Sequence, residues 1–87
     1  MYVILVYDIS VERVSKVCQF LRMYLNWIQN SVFEGEISRA QLKEIEIRLK
    51  DLIDPKEDSV IIYKMRTDHA FKRKVLGVEK SEHSRII

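Results

Sequence analysis

The first apolar run of the chain, Tyr2-Val3-Ile4-Leu5-Val6-Tyr7, ends at a single carboxylate, Asp8. Its length and its β-branched composition are typical of a strand that is buried on both faces. A second run of this kind, Ser59–Tyr63, comes late in the chain, and helical patterns lie between the two. We therefore expect these two strands to form the centre of a sheet against which helices pack.

Two segments carry apolar residues at helical spacing. Ser10 is a plausible N-cap for the first helix, which we expect to run to about Leu25. Ser38 and Gln41 match a capping box, and Pro55 ends the second helix because the residue before proline avoids helical geometry. The expected buried faces are formed by Val14, Val17, Cys18, Leu21 and Leu25 in the first helix and by Leu42, Ile45, Leu49 and Leu52 in the second.

The segment between the helices, residues 27–37, alternates imperfectly between apolar and polar side chains. It predicts two short strands, or one bent strand, with a break near Asn30. Gly35 inside this segment indicates a bulge or a close backbone approach. Near the end of the chain, Val75–Val78 are predicted to form a short edge strand.

This order of elements predicts an α+β fold, a ferredoxin-like βαββαβ sandwich with two helices on one sheet face and an extra C-terminal edge strand. We expect residues 1–78 to form the domain and residues 79–87 to form a tail. The other sheet face would be left bare. A homodimer packed sheet to sheet, with the apolar tail crossing to the partner protomer, would cover it.

Composition narrows the class of protein. The chain has 87 residues, of which 47% are hydrophobic and 32% are charged, as in a globular domain. No apolar stretch reaches the roughly 18 residues of a membrane span, and no basic region precedes the first apolar run, so neither a membrane nor a secretory signal is indicated. The single Cys18 excludes an internal disulfide and suits a reducing compartment. We expect a cytoplasmic protein.

Charge is unevenly distributed along the chain. The net charge is only +2, but residues 64–80 hold six basic side chains against two acidic ones. Such a cluster could bind a polyanion, but charge alone favours the alternative, a solvated edge strand and loop that lysines keep soluble.

Asp8 is the residue that most resembles a site of chemistry, because ligands of α/β sheets bind where a strand ends and a helix begins. Two interpretations are open: Asp8 binds a metal ion, or it accepts hydrogen bonds from backbone donors at the turn. Hard cations prefer about six oxygens, so water, phosphate or a second copy of the chain would supply the others. His69 and His83 lack the spacing of a zinc site.

Three segments carry a family resemblance: Val6–Ser10 (VYDIS), Gln29–Gly35 (QNSVFEG) and Asp58–Tyr63 (DSVIIY). Together they closely resemble the CRISPR-associated Cas-two family, over nearly the whole chain to about Val78. The Q-x-S-V-F-E-G stretch is the specific part of the match. The resemblance implies a homodimer joined by its sheets, in which the C-terminal strands complete the partner's sheet.

The resemblance also implies a function. Family members are described as metal-dependent endonucleases that act on single-stranded RNA and in some cases on double-stranded DNA. The matching catalytic and metal-binding residue is Asp8, and one Asp8 from each protomer would hold Mg²⁺ or Mn²⁺ on the two-fold axis. In the family's other role, the dimer bridges two CRISPR integrase dimers and helps to hold the DNA fragment to be inserted.

Further residues are assigned with less specificity. Tyr7, Ser31 and Phe33 match family motif positions near the axis, so they are predicted to line the site or the dimer interface. Phe33 could also stack on a base, although core packing is the commoner role of such an aromatic. Near helix N-termini, Arg13, Lys16 and Arg39 are predicted to contact nucleic acid, with solubilising charge as the alternative for each.

The sequence thus predicts a protein of CRISPR adaptation that is a homodimeric, metal-dependent endonuclease and an integrase partner. Its rivals are a non-catalytic DNA-binding scaffold of the integrase complex and a toxin-like ribonuclease of similar fold. A generic RNA-binding domain is disfavoured, because the aromatic RNP1 pattern is missing from the strands.

Overall fold

A computed structural model of the chain describes residues 1–67, 69 and 72–81. Its elements are β1 (Tyr2–Asp8), α1 (Val11–Leu21), β2 (Asn26–Gln29), β3 (Val32–Glu36), α2 (Arg39–Leu52) and β4 (Ser59–Met65). The strands form one antiparallel sheet in the order β2-β3-β1-β4. The predicted βαββαβ order of a ferredoxin-like α+β sandwich is confirmed.

Alternation along β1 separates the two faces of the sheet. Val3, Leu5 and Tyr7 are buried, and they share one core with the apolar stripes of both helices. Ile4 and Val6 point to the opposite side, which we call the open face. The buried core consists of Val3, Leu5, Tyr7, Val17, Phe20, Leu21, Leu25, Phe33, Ile37, Leu42, Ile45 and Leu49.

The prediction that β1 and β4 form the centre of the sheet is confirmed for β1 and wrong for β4. The strand β3 lies beside β1 in the middle, whereas β4 pairs only with β1 in the described part of the chain. On the open face of β4, Ile61 and Tyr63 are 49% and 54% exposed. The apolar composition of β4 therefore reflects two apolar faces, one of which the described part of the chain leaves partly exposed.

The two helices begin where the sequence predicts, but only α2 has a side-chain hydrogen bond that caps its first turn. In α2, the Gln41 backbone N–H donates to Ser38 Oγ (3.1 Å) and the Ser38 N–H donates to Gln41 Oε1 (2.9 Å), so the capping box is confirmed. Ser10 occupies the N-cap position of α1, but its hydroxyl donates to Glu12 instead of capping the backbone. The helix α1 ends at Leu21 and not near Leu25, because the Met23 and Tyr24 N–H groups donate to the carbonyls three residues earlier, those of Phe20 and Leu21, and tighten the chain into turns.

The predicted break near Asn30 is a hairpin turn between β2 and β3. Asn30 adopts a positive φ of 42°, which asparagine tolerates better than most residues. Gly35 packs closely against Leu25, since a Cβ atom at position 35 would lie 3.3 Å from the Leu25 Cδ2 atom and the leucine side chain would have to shift slightly. The irregularity in strand pairing lies in β2, between Trp27 and Gln29.

The edge strand predicted at Val75–Val78 is not formed in the structure. Gly77 has a φ of 89°, which interrupts extended backbone in the middle of that segment. The segment is held by a side chain instead, because the Arg73 guanidinium pairs with the buried Glu34 on the open face. The boundary between a domain of residues 1–78 and a tail stays a prediction, and residues 82–87 lie outside the described residues.

Candidate functional site

Asp8 is the last residue of β1 and pairs with Ser59 at the start of β4. Its side chain is exposed and continues the open face beyond Ile4 and Val6. Within residues 1–67, 69 and 72–81, no hydrogen bond or ion pair engages its carboxylate. The described chain therefore offers no backbone donor to Asp8, and its carboxylate oxygens are accessible to a ligand.

The backbone donors at this turn belong to a different carboxylate, Asp58. Its side chain is completely enclosed, and it accepts hydrogen bonds from the Ser10 N–H (2.9 Å) and the Asp54 N–H (2.8 Å). Arg13 completes the arrangement, with Nε at 2.6 Å from Oδ2 and Nη2 at 3.1 Å from Oδ1. We call these four residues the Asp58 network. The hydrogen bonds from Arg13, followed by the two backbone donors, hold the pKa of Asp58 well below its usual range.

The structure gives Arg13 a role other than the predicted contact with nucleic acid. Its guanidinium pairs with Asp58 and also with Glu57, at 3.3 Å, which raises the pKa of Arg13 above its ordinary value. Turning this side chain toward a phosphate would leave a buried carboxylate without its charged partner, which is strongly unfavourable. Sequence reasoning missed Asp58, although it opens the third motif segment.

Tyr7 and Phe33 lie beneath the helices and not on a ligand-accessible surface. Phe33 is 0% exposed, with its ring centroid 6.0 Å from that of Tyr7. The Tyr7 hydroxyl lies 3.1 Å from Cys18 Sγ and donates to the Asn30 carbonyl at 3.3 Å. Burial, followed by the contact with Cys18, raises the pKa of Tyr7 to about 12. The packing interpretation of Phe33 is confirmed, and neither ring lines the surface at Asp8.

Ser31 contributes through its backbone. It is half-buried in the turn between β2 and β3, and its carbonyl accepts a hydrogen bond from the Tyr7 N–H at 3.0 Å. This bond extends the pairing of β1 to the residue before Asp8. Ser31 therefore helps to fix the end of the strand that carries the carboxylate.

Two of the predicted nucleic-acid contacts, Lys16 and Arg39, remain exposed. Among the described residues neither has an ion-pair partner. Arg39 lines a shallow groove together with Lys64 and Arg66, and we call these three residues the basic end. Because the seven-residue strand β1 rises about 3.3 Å per residue, the basic end lies roughly 20 Å from Asp8. The predicted site residues do not converge on one place.

The open face is divided into two halves. Near Tyr2, the buried carboxylate of Glu34 accepts from the Tyr2 hydroxyl and pairs with Arg73. Toward Asp8, the cross-strand pair Val6 and Ile61 is apolar, and Ile61 is half-exposed. Uncovered apolar surface therefore begins one same-face step, about 7 Å, from the strand end that carries Asp8.

The potential metal ligands are sparse. In the part of the chain that the structure describes, no three His, Cys, Asp or Glu side chains come together as a metal site. Also within that part, no helix is both long enough and apolar enough to cross a bilayer. Among the described residues, Asp8 is thus the one free carboxylate that we find at this end of the open face.

The fold and the site define a small ferredoxin-like α+β protein with an exposed aspartate at the end of its first strand. Residues 1–73 match the family described as CRISPR associated protein Cas2. The chain belongs to that family, as its sequence motifs predicted.

Relatives and solved structures agree with this family. The chain is 56% identical over 79 residues to the CRISPR-associated endoribonuclease Cas2 2 of Archaeoglobus fulgidus, covering 91% of this chain and 86% of that protein. It is 54% identical to the CRISPR-associated endoribonuclease Cas2 of Pyrococcus furiosus, over the full length of both. Among solved structures, Streptococcus pyogenes Cas2 is similar with a TM-score of 0.79 and 31% identity, covering 88% of this chain and all of that one.

Proposed function

We propose that this protein is a homodimeric, metal-dependent endoribonuclease of a CRISPR system, with one Asp8 from each protomer holding a shared Mg²⁺ or Mn²⁺. The observation that carries the proposal is the exposed Asp8 carboxylate, which has no partner in the described chain. Relatives that are 54–56% identical are named endoribonucleases. Single-stranded RNA is the substrate we expect, with double-stranded DNA as a further one.

The open face supports the dimer. Ile61 and Tyr63 are about half exposed on adjacent same-face positions of β4, and Val6 and Ile4 lie beside them on β1. Two copies packed through these residues would bury apolar surface that the described part of one chain leaves exposed, which is favourable. The same packing would bring the two Asp8 side chains toward each other, because they follow this surface at the ends of the β1 strands.

The donor set fits magnesium or manganese. Mg²⁺ in proteins keeps several waters and takes one or two carboxylates together with substrate phosphates. Two exposed Asp8 side chains supply two carboxylates, whereas one chain alone supplies one and leaves more of the ligand positions to water and phosphate. The bound ion would polarise a phosphodiester and lower the pKa of an attacking water.

The protein's own residues hold the Asp8 carboxylate in place. The pairing of Asp8 with Ser59 and the hydrogen bond from the Tyr7 N–H to Ser31 fix the end of β1 from both sides. The exposed position leaves room for an extended single strand and for water. No histidine of the described chain lies near Asp8 in sequence, so proton transfer falls to solvent at the site.

Cleavage of single-stranded RNA in Mg²⁺ or Mn²⁺ tests the enzyme proposal. Asp8→Asn should abolish cleavage while keeping the fold, and Asp51→Asn, the same change at an exposed position of α2, should cleave like the parent protein. All three proteins are purified in parallel, so that a contaminating nuclease would appear in each. Equal cleavage by Asp8→Asn would contradict the proposal.

The dimer has its own test. Ile61→Glu places a charge in the apolar part of the open face, and Ile47→Glu places one on the outer face of α2, where the side chain is exposed to a similar degree. We expect Ile61→Glu to be monomeric by light scattering and Ile47→Glu to remain dimeric. A dimer that survives Ile61→Glu with unchanged affinity would exclude this face as the interface.

A second function, the bridging of integrase dimers on DNA during adaptation, is favoured by the basic end. Arg39, Lys64 and Arg66 form a cationic surface far from Asp8, and none of the three has an ion-pair partner in the described chain. Phosphate contacts there would hold DNA without exposing it to cleavage. Arg39→Gln should weaken DNA binding and reduce the salt slope of the affinity by about 1, while RNA cleavage at Asp8 is kept. An unchanged salt slope would remove the basic end from DNA binding.

A further inference from the structure

Asp58 is the most completely satisfied carboxylate of the described chain. It accepts from two backbone N–H groups, those of Ser10 and Asp54, and from two nitrogen atoms of Arg13, at distances of 2.6–3.1 Å. Its side chain is 0% exposed, so none of these bonds is shared with solvent. Such a fully hydrogen-bonded buried group makes the local geometry rigid.

The Asp58 network connects the two chain segments that flank Asp8. Ser10 follows Asp8 by two residues, and Ser59, the residue after Asp58, is the strand partner of Asp8. The hydrogen bond from the Ser10 N–H to Asp58 therefore closes a small ring of protein that includes the Asp8 backbone. Asp58 aligns with Val60 and Ile62 on the helix side, whereas Asp8 belongs to the open face, so the two carboxylates do not compete for a ligand.

We propose that Asp58, with Arg13 and the Ser10 N–H, is a positioning residue that sets the direction of the Asp8 carboxylate toward its metal. A metal site built from one carboxylate of each protomer tolerates little misorientation of either carboxylate, because each one supplies half of the protein side chains that bind the ion. Groups that hydrogen-bond to a metal ligand typically change metal affinity 10- to 100-fold when they are removed, and Asp58 would act in this way through the backbone that carries Asp8. This inference rests on the proposed function of Asp8.

The test measures Mn²⁺ affinity of the full-length protein, by the loss of the free-ion signal in electron paramagnetic resonance, and not activity alone. We expect Asp58→Asn to weaken Mn²⁺ binding by about 10- to 100-fold at a temperature where circular dichroism shows a folded protein. Asp51→Asn, on the exposed side of α2, is the matched control and should bind like the parent protein.

A second pair of variants isolates one hydrogen bond in case Asp58→Asn does not fold. Ser10 has a φ of −56°, which proline also adopts, so Ser10→Pro removes the N–H while fitting the backbone. Ser10→Ala loses the same hydroxyl but keeps the N–H. We expect weakened Mn²⁺ binding in Ser10→Pro and near-parental binding in Ser10→Ala.

The outcomes separate this inference from the proposal on which it rests. If Asp8→Asn binds Mn²⁺ as the parent protein does, or if the parent protein shows no saturable binding, the metal role of Asp8 is wrong and the inference falls with it. If Asp8→Asn loses binding while folded Asp58→Asn and Ser10→Pro keep parental affinity, only the positioning role is wrong. A purely structural role would lower the Tm of these variants and leave their Mn²⁺ affinity unchanged.

Discussion

Asp8 and Asp58 lie at the same end of the sheet, one at the end of β1 and the other immediately before β4, and their surroundings are opposite. Asp8 is exposed and has no partner in the described chain, whereas Asp58 is enclosed and accepts four hydrogen bonds. The comparison teaches that a carboxylate at a strand end is not by itself a site. A carboxylate is available to a ligand only if the neighbouring backbone N–H groups and the nearest arginine donate their hydrogen bonds to another carboxylate.

The largest expected difference between the two aspartates is in catalysis. Asp8→Asn should reduce RNA cleavage at least about a hundredfold, because it removes the ligand of an ion that stabilises the transition state by several kcal/mol. Its Tm should stay near that of the parent protein, since no described contact is lost. Initial rates and a thermal melt on the same preparation check both statements. A melt lowered as much as that of Asp58→Asn would contradict the assignment.

For thermal stability we expect the opposite order, with a larger effect of the substitution at Asp58 than at Asp8. Asp58→Asn leaves Arg13 without its buried counter-charge and replaces an acceptor with an amide group, so it should give the largest Tm decrease among the Asp→Asn variants at positions 8, 51 and 58. Thermal melts of the three variants at neutral pH measure this order. A Tm for Asp58→Asn equal to that of Asp51→Asn would mean that the Asp58 network does not support the fold.

The pH dependence of stability should also distinguish Asp58. Its pKa in the folded protein lies below the ordinary value of 3.8, so its ionised form stabilises the fold above that value, and this contribution is lost as the pH falls through the folded pKa. The Tm difference between the parent protein and Asp58→Asn should be constant near neutrality and shrink below about pH 4. A difference that stays the same down to pH 2 would be inconsistent with this shift.

The smallest effect on Tm and Mn²⁺ affinity is expected at Glu57, which contacts the Asp58 network from outside. Glu57 contacts Arg13 at 3.3 Å, but its side chain is 60% exposed. Surface ion pairs of this kind contribute little, so Glu57→Gln should leave the Tm and the Mn²⁺ affinity unchanged within error. A clear loss of either would show that the positioning of Arg13 depends on Glu57 as well as on Asp58.

Local signals in the sequence predicted most of the fold. The first strand, the capping box at Ser38 and the hairpin break near Asn30 each depend on residues close together in the chain, and all three are confirmed. The position of β4 was not predictable in this way. An apolar run shows that both faces of a strand avoid water, but it does not show whether the chain itself or a second copy provides the cover.

The candidate site was predictable only in part. Asp8 is identifiable from its place at the end of the first strand, and its exposure is a local property of that strand end. Asp58 was missed because its partners, Ser10 and Arg13, lie 48 and 45 positions away in sequence. For the same reason Arg13 was assigned to nucleic acid, since a basic residue near a helix N-terminus gives no sign of a distant carboxylate.

A crystal structure of the full-length protein grown with Mn²⁺, with the metal located by anomalous scattering, tests the shared-metal site most directly. We predict one manganese peak on the two-fold axis of a dimer joined through the open faces, ligated by the Asp8 carboxylate of each protomer. Two Asp8 carboxylates much farther apart than roughly 4 Å, about twice a metal–oxygen distance, with no manganese between them, would contradict the account.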